Sequence, residues 1–223
     1  MPHHQPPKVL LVHGLFMRAT MLRPMMAQLR RRGYQCLALT YPTRNQTLHD
    51  SVAQHLPQIQ DFAGDASLFA IGHSLGGLYL RHLHQQWPQG LARGRVVTLG
   101  TPHLGSKVGR YFYERPWRRR ILGHCWQQGL DGNAPAWDAA IPLLSIAGTK
   151  AIGVGSALGI FAADEPNDGT VAVSETELPQ AAAFYRLHTS HSALQFDRTA
   201  AALADRWFHG EAPETETIVQ SAD

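Results

Sequence analysis

The stretch Leu68-Phe-Ala-Ile-Gly-His-Ser-Leu-Gly-Gly-Leu78 decides the reading of this chain. Leu68 to Ile71 is an apolar run of the length of a buried strand, and Leu75, Leu78 and Leu83 recur behind it at helical spacing. Between them, Gly72-His73-Ser74-Leu75-Gly76 fits G-x-S-x-G. Strand, sharp turn and helix are the setting in which that pattern lifts a serine hydroxyl above a sheet. The glycines have a steric reason, because the serine sits at a strained backbone position and a neighbouring Cβ would collide with it. Alone the match is weak, since average glycine and serine usage produces it in about one chain in ten of this size.

Working outward, the same strand-then-helix alternation repeats. Lys8 to Val12, Gln35 to Thr40, Arg95 to Leu99, Leu143 to Ala147 and Phe184 to Leu187 read as further strands. Helices are expected over 20–32, capped by Thr20 and stopped by Gly33, over 48–62, after the elbow to about Trp87, and over 192–208. Strands apolar throughout, alternating with helices, imply an α/β fold: one doubly wound, mostly parallel sheet of about six strands, covered on both faces. One domain over 1–210 is expected, followed by an acidic, aperiodic tail, 211–223, expected to be disordered. Two stretches break the alternation. Segment 106–142 is rich in aromatics and arginine, and 150–163 is rich in glycine and apolar residues. Both leave the C-terminal ends of strands, where α/β sheets place ligands.

Composition narrows the class. The 223 residues are 44% hydrophobic with a net charge of +3, ordinary for a globular chain. No stretch approaches the roughly 18 apolar residues of a membrane helix. Met1 to Pro7 is short and polar and leads straight into the first strand, so no secretory segment is expected and the expected location is cytoplasmic. Cys36 reads as a core residue, and a bridge to Cys125 is not expected. No Cys/His spacing suggests zinc, and Gly153-Val-Gly155 lacks the third glycine and later acid of a dinucleotide site; no metal and no cofactor are expected. The basic residues are too few and too clustered for a nucleic-acid protein. Arg115 to Arg120 reads either as a solvated face or as a contact for an anionic head group or, transiently, a membrane surface. No feature of the sequence fixes an oligomeric state.

A serine hydroxyl needs a base to take its proton, a group to orient that base, and donors for the oxyanion that develops. Acid candidates downstream of Ser74 are Asp164, Glu165, Asp168 and Glu175; Asp168 is favoured because Asn167-Asp168-Gly169 is a turn that can aim a carboxylate. His191 is favoured over His188 as the base, since it leads away from the last strand toward the final helix. The oxyanion donors expected are the backbone N–H groups of Leu75 and of Leu15, with Phe16 the alternative to Leu15. His13 is expected to hold the oxyanion loop, His73 to pack beside the elbow, and His103 has no assignable role.

Val9 to Leu15, Gly72 to Gly77, Leu99 to Ser106, Asn167 to Val171 and His191 together resemble the lipase-type members of the α/β-hydrolase superfamily, across 9–191. The resemblance implies Ser74 as nucleophile, Asp168 as acid, His191 as base and 106–142 as a lid or cap. It implies a serine esterase or lipase acting on an ester or lipid with an apolar acyl group. Acyl transfer or thioester cleavage with the same residues is the alternative, and a non-catalytic basic binding module a remote one.

Overall fold

In the computed structural model, which describes residues 6–213 and 219–220, the strands and helices alternate as follows. β1 (Lys8–Val12) leads through a 3₁₀ turn to α1 (Arg23–Arg31), and β2 (Gln35–Leu39) precedes α2 (Leu48–Ala63). β3 (Leu68–His73) runs into α3 (Leu75–Gln86), followed by α4 (Pro88–Leu91) and β4 (Val96–Leu99). The insert then carries α5 (Lys107–Tyr113) and α6 (Pro116–Leu122) before β5 (Leu143–Gly148). The short helices α7 (Val154–Ala157) and α8 (Val173–Thr176), β6 (Ala183–His188), α9 (Arg198–Phe208) and a two-residue β7 (Val219–Gln220) complete the order.

The sheet order is β2-β1-β3-β4-β5-β6-β7 and every pairing is parallel. Six of these strands are the six expected, and β7 extends the edge by pairing Val219 with Leu187 and Gln220 with His188. Of the tail, 214–218 and 221–223 lie outside the described residues.

The pleat explains why the inner strands β1, β3, β4 and β5 are largely apolar on both sides. Leu10, Val12, Leu68, Ala70, Val96 and Leu143 face a core shared with α2, α3 and the insert. Their alternates Val9, Leu11, Ile71, Val97 and Leu144 face a second core filled by α1 and α9. Two faces buried at a period of two favour apolar residues throughout, and the buried polar ones, Thr98 and Ser145, hydrogen-bond to His103 and to Thr176 O.

Several local expectations are corrected. Thr20 caps nothing; it lies in the 3₁₀ turn Ala19–Leu22, and α1 starts after it with a proline in its first turn. The last helix starts at Arg198 rather than 192, because the Asp197 side chain accepts the Thr199 and Ala200 N–H groups and sets the N-cap there. Phe196 is 40% exposed in the turns before it. Cys36 is only partly buried on β2, Cys125 is fully buried, and the two thiols are unpaired.

Candidate active site

Ser74 stands at the tip of β3 with φ +53° and ψ −122°, left-handed backbone that an L-residue adopts only under constraint. The constraint is visible in its contacts. The Ser74 N–H donates to Leu99 O (2.8 Å), and the Ser74 carbonyl accepts from Thr101 Oγ1 (2.9 Å) and Gly77 N (3.0 Å). The glycines are needed, though not for the reason read from sequence. A Cβ on Gly72 would strike the backbone of Gly77, at 2.5 Å from its nitrogen, and one on Gly76 would overlap the Val12 carbonyl. What they make room for is the first turn of α3 against β1 and β3, rather than the serine.

The loop after β1 also comes close, since a Cβ on Gly14 would sit 3.0 Å from Ser74 Cβ. His13 holds this loop. Its Nδ1 donates to Gly14 O (2.9 Å), its ring stacks on Tyr41 at 4.6 Å, and Tyr41 donates its hydroxyl proton to His13 O (2.9 Å). Burial lowers the His13 pKa, which keeps the ring neutral so that Nε2 accepts from Tyr41 N (3.4 Å). Phe16 also has φ +60°, and its N–H donates to Thr43 Oγ1 (3.3 Å), so that donor is already committed. Leu15 and Leu75 both line the cavity beside Ser74.

Asp168 follows β5 and is 1% exposed. Its Oδ1 accepts the N–H groups of Thr170 (2.9 Å) and Val171 (2.7 Å), and its Oδ2 lies 2.7 Å from His191 Nδ1. Gly169 at φ +94° makes this turn, and a Cβ there would run into the Ile152–Gly153 backbone. His191, just past β6, also gives its N–H to Asp168 O (2.9 Å). With Nδ1–H turned to a carboxylate, the free Nε2 is an acceptor. His188 is exposed at the end of β6 with Nδ1 3.3 Å from Thr149 Oγ1, and among the described residues no hydrogen bond joins it to Asp168 or His191. Glu175, another acid candidate, is buried but spends Oε1 on Lys107 N (2.5 Å) and Oε2 on Ala172 N (2.8 Å); burial raises its pKa to about 7. Glu165 pairs with Lys107, and Asp164 is exposed.

Two contributors were underread in the sequence. His73 donates from Nε2 to His191 O (2.9 Å) and packs its ring 5.0 Å from that of His191; burial, chiefly, holds its pKa down to about 3. It therefore stays neutral and locks the backbone of the histidine across the cleft. Thr101, within the Gly100-Thr-Pro-His103 turn, clamps the elbow carbonyl, and His103 bonds Thr98 Oγ1 at 3.0 Å to anchor the same turn.

Ser74, His191 and His73 open into one cavity of about 450 Å³, within the range of small-molecule sites. Its other walls are apolar: Leu15, Phe16 and Met17 from the first loop, Val108, Phe112, Leu122 and Leu130 from the insert, and Val154 and Val171 beyond β5.

Comparison by sequence matches residues 9–220 to the model of the alpha/beta hydrolase family. The chain belongs to that family. A search of curated proteins finds no match. Among solved structures, the mature lipase of Bacillus licheniformis superposes with a TM-score of 0.71 at 22% identity, covering 92% of this chain and 93% of that one. A metagenomic carboxyl esterase gives 0.71 at 14% identity, covering 93% and 76%. The thioesterase domain of the curacin biosynthetic pathway gives 0.58 at 15%, covering 90% of each. At these identities the likeness is one of fold.

Proposed function

We propose that this alpha/beta hydrolase cleaves carboxylic esters through a Ser74–His191–Asp168 triad and an acyl-enzyme. One observation carries the reading. A serine held at the strained tip of β3 and a histidine oriented by a buried carboxylate at 2.7 Å open into the same apolar cavity. Ser74 Oγ attacks the ester carbonyl carbon as His191 Nε2 takes its proton, and the carbonyl oxygen gains the negative charge. The N–H groups of Leu15 and Leu75 receive that charge, aided by the N-terminus of α3. Collapse expels the alcohol, to which His191 returns the proton. Water then repeats the cycle on the acyl-serine and releases the acid. Asp168 holds the tautomer and stabilises the imidazolium. The apolar walls suit an apolar acyl group. A cytoplasmic location belongs to the same proposal and agrees with two unpaired thiols.

The test is a panel of esters and thioesters of increasing acyl length. Ser74→Ala should lower turnover on the order of 10⁶-fold and abolish labelling by a fluorophosphonate. Labelling that persists at another serine would refute the assignment. Preferred cleavage of thioesters would keep the triad and change the leaving group.

A further inference from the structure

We propose that the outer face of the insert, built on α6, docks on an anionic lipid surface and turns the mouth of the cavity toward it. The docking itself does not depend on Ser74 chemistry; only its benefit to turnover rests on the hydrolase reading.

The positive charge of this protein is concentrated there. Segment 106–130 holds Lys107, Arg110, Arg115, Arg118, Arg119 and Arg120 against the single acid Glu114, more positive charge than the +3 of the whole chain. Among the described residues none of the four arginines of 115–120 is in an ion pair. Two are instead fixed by aromatic rings: Arg118 lies 3.9 Å from the Tyr111 centroid and 5.3 Å from that of Trp117, and Arg119 lies 4.2 Å from Tyr113. Arg119 Nε also donates to Tyr113 O (3.0 Å), so the guanidiniums most open to phosphate oxygens are those of the exposed Arg115 and Arg120. Trp117 itself is 73% exposed, an amphipathic ring of the kind that settles at a lipid–water boundary.

The patch continues into the cavity mouth. Arg44 donates to Arg120 O (2.6 Å) and places its guanidinium 5.7 Å from the Phe16 ring. Phe16, 60% exposed, lines the cavity, as do Ile121 and Leu122 on the inner side of α6. Ile152 and Val154 are also exposed, at 62% and 43%, and Val154 lines the cavity. A nucleic acid would use the arginines and Trp117, but aliphatic side chains offer a base nothing to stack on. Phosphate-bearing lipid matches both parts, head groups on the arginines and hydrocarbon on the apolar rim.

The test is co-sedimentation of the full chain with vesicles of phosphatidylcholine alone and of phosphatidylcholine mixed with phosphatidylglycerol. Binding should favour the mixed vesicles and weaken as salt is added. Replacing Arg115 and Arg120 together by glutamine should lower partitioning onto them roughly 30-fold, at about a fivefold factor per charge. Trp117→Ala should weaken binding to both vesicle types. Turnover of a water-soluble short-chain ester should be unchanged in these variants, which also reports that they fold. Equal binding to the two vesicle types, unchanged binding of the double variant, or capture by RNA in preference to vesicles would each overturn the proposal.

Discussion

The elbow and the insert form opposite walls of one cavity, and they are held by different kinds of contact. At the elbow the constraint is steric and lies in the backbone: Gly72, Gly76 and Gly77 let strand, turn and helix touch, and a Cβ at any of them meets backbone or Thr101. The insert is held by side chains reaching for its carbonyl oxygens. Arg81, on α3, donates to Pro135 O (2.6 Å), Ala134 O (2.9 Å) and His103 O (2.7 Å), and His82, beside it, bonds Gln128 O (2.7 Å). Arg81 is 5% exposed and meets no carboxylate among the described residues; three carbonyl dipoles replace its water. One helix therefore begins as the serine's support and ends as the insert's anchor. The difference teaches that a backbone constraint leaves a motif behind, while a side-chain anchor leaves one residue that looks like any surface arginine.

That contrast can be broken most sharply at the histidines. His191→Ala is expected to lower kcat on the order of 10⁶-fold and Asp168→Asn about 10⁴-fold, with His188→Ala within a few-fold of the parent. Steady-state kinetics on one ester decide it, and the reverse ranking of the two histidines would move the site. Next comes the steric claim. Gly76→Ala, which drives a methyl into the Val12 carbonyl, should cost about 3 kcal/mol or more in denaturant unfolding. Gly109→Ala in the insert, whose nearest neighbour is the Ser106 Cβ at 3.1 Å, should cost under about 1.5 kcal/mol.

Arg81→Met should show the other mode of attachment. Three carbonyls, two of them in buried contacts, lose their donor, a cost of about 3 kcal/mol. The insert should then be cut by protease near 134–135 before the sheet unfolds, with KM for long-chain esters rising more than kcat falls. Cutting in the sheet first would mean that Arg81 supports the whole fold.

The smallest effect is in pH. His73 and His103 are neutral in the folded chain, both with pKa values held down to about 3 by burial, against 6.5 unfolded. Below pH 6.5 the unfolded chain therefore binds more protons, and stability falls as pH drops toward 3. Glu175, raised to about 7, acts oppositely: its stabilisation is full below pH 4.5 and is lost as pH rises through 7. Two histidines against one glutamate should leave Tm lower at pH 5 than at pH 7.5. A Tm unchanged between them would show that Glu175 balances both.

Most of the sheet was legible because the inner strands β1, β3, β4 and β5 are buried on two faces and so read as largely apolar runs. The helix ends were less so, since Asp197 wins the cap of α9 over any signal at Ser192 only once its side chain meets the Thr199 and Ala200 amides. The spacing Gly72-x-Ser74-x-Gly76, the Asn167-Asp168-Gly169 turn and the late histidine were readable for a common reason. Each answers to a local rule of backbone geometry or chain order.

By itself the sequence determined the parallel sheet, the elbow at Ser74 and the order in which Ser74, Asp168 and His191 follow one another, because period, glycine placement and turn chemistry act over a few residues. Tertiary structure alone decided that Asp168 lies against His191, that His73 crosses 118 positions to hold His191 O, and that Arg81 is the anchor of the insert. Those contacts join segments far apart in the chain. Their value comes from burial, which no local pattern records.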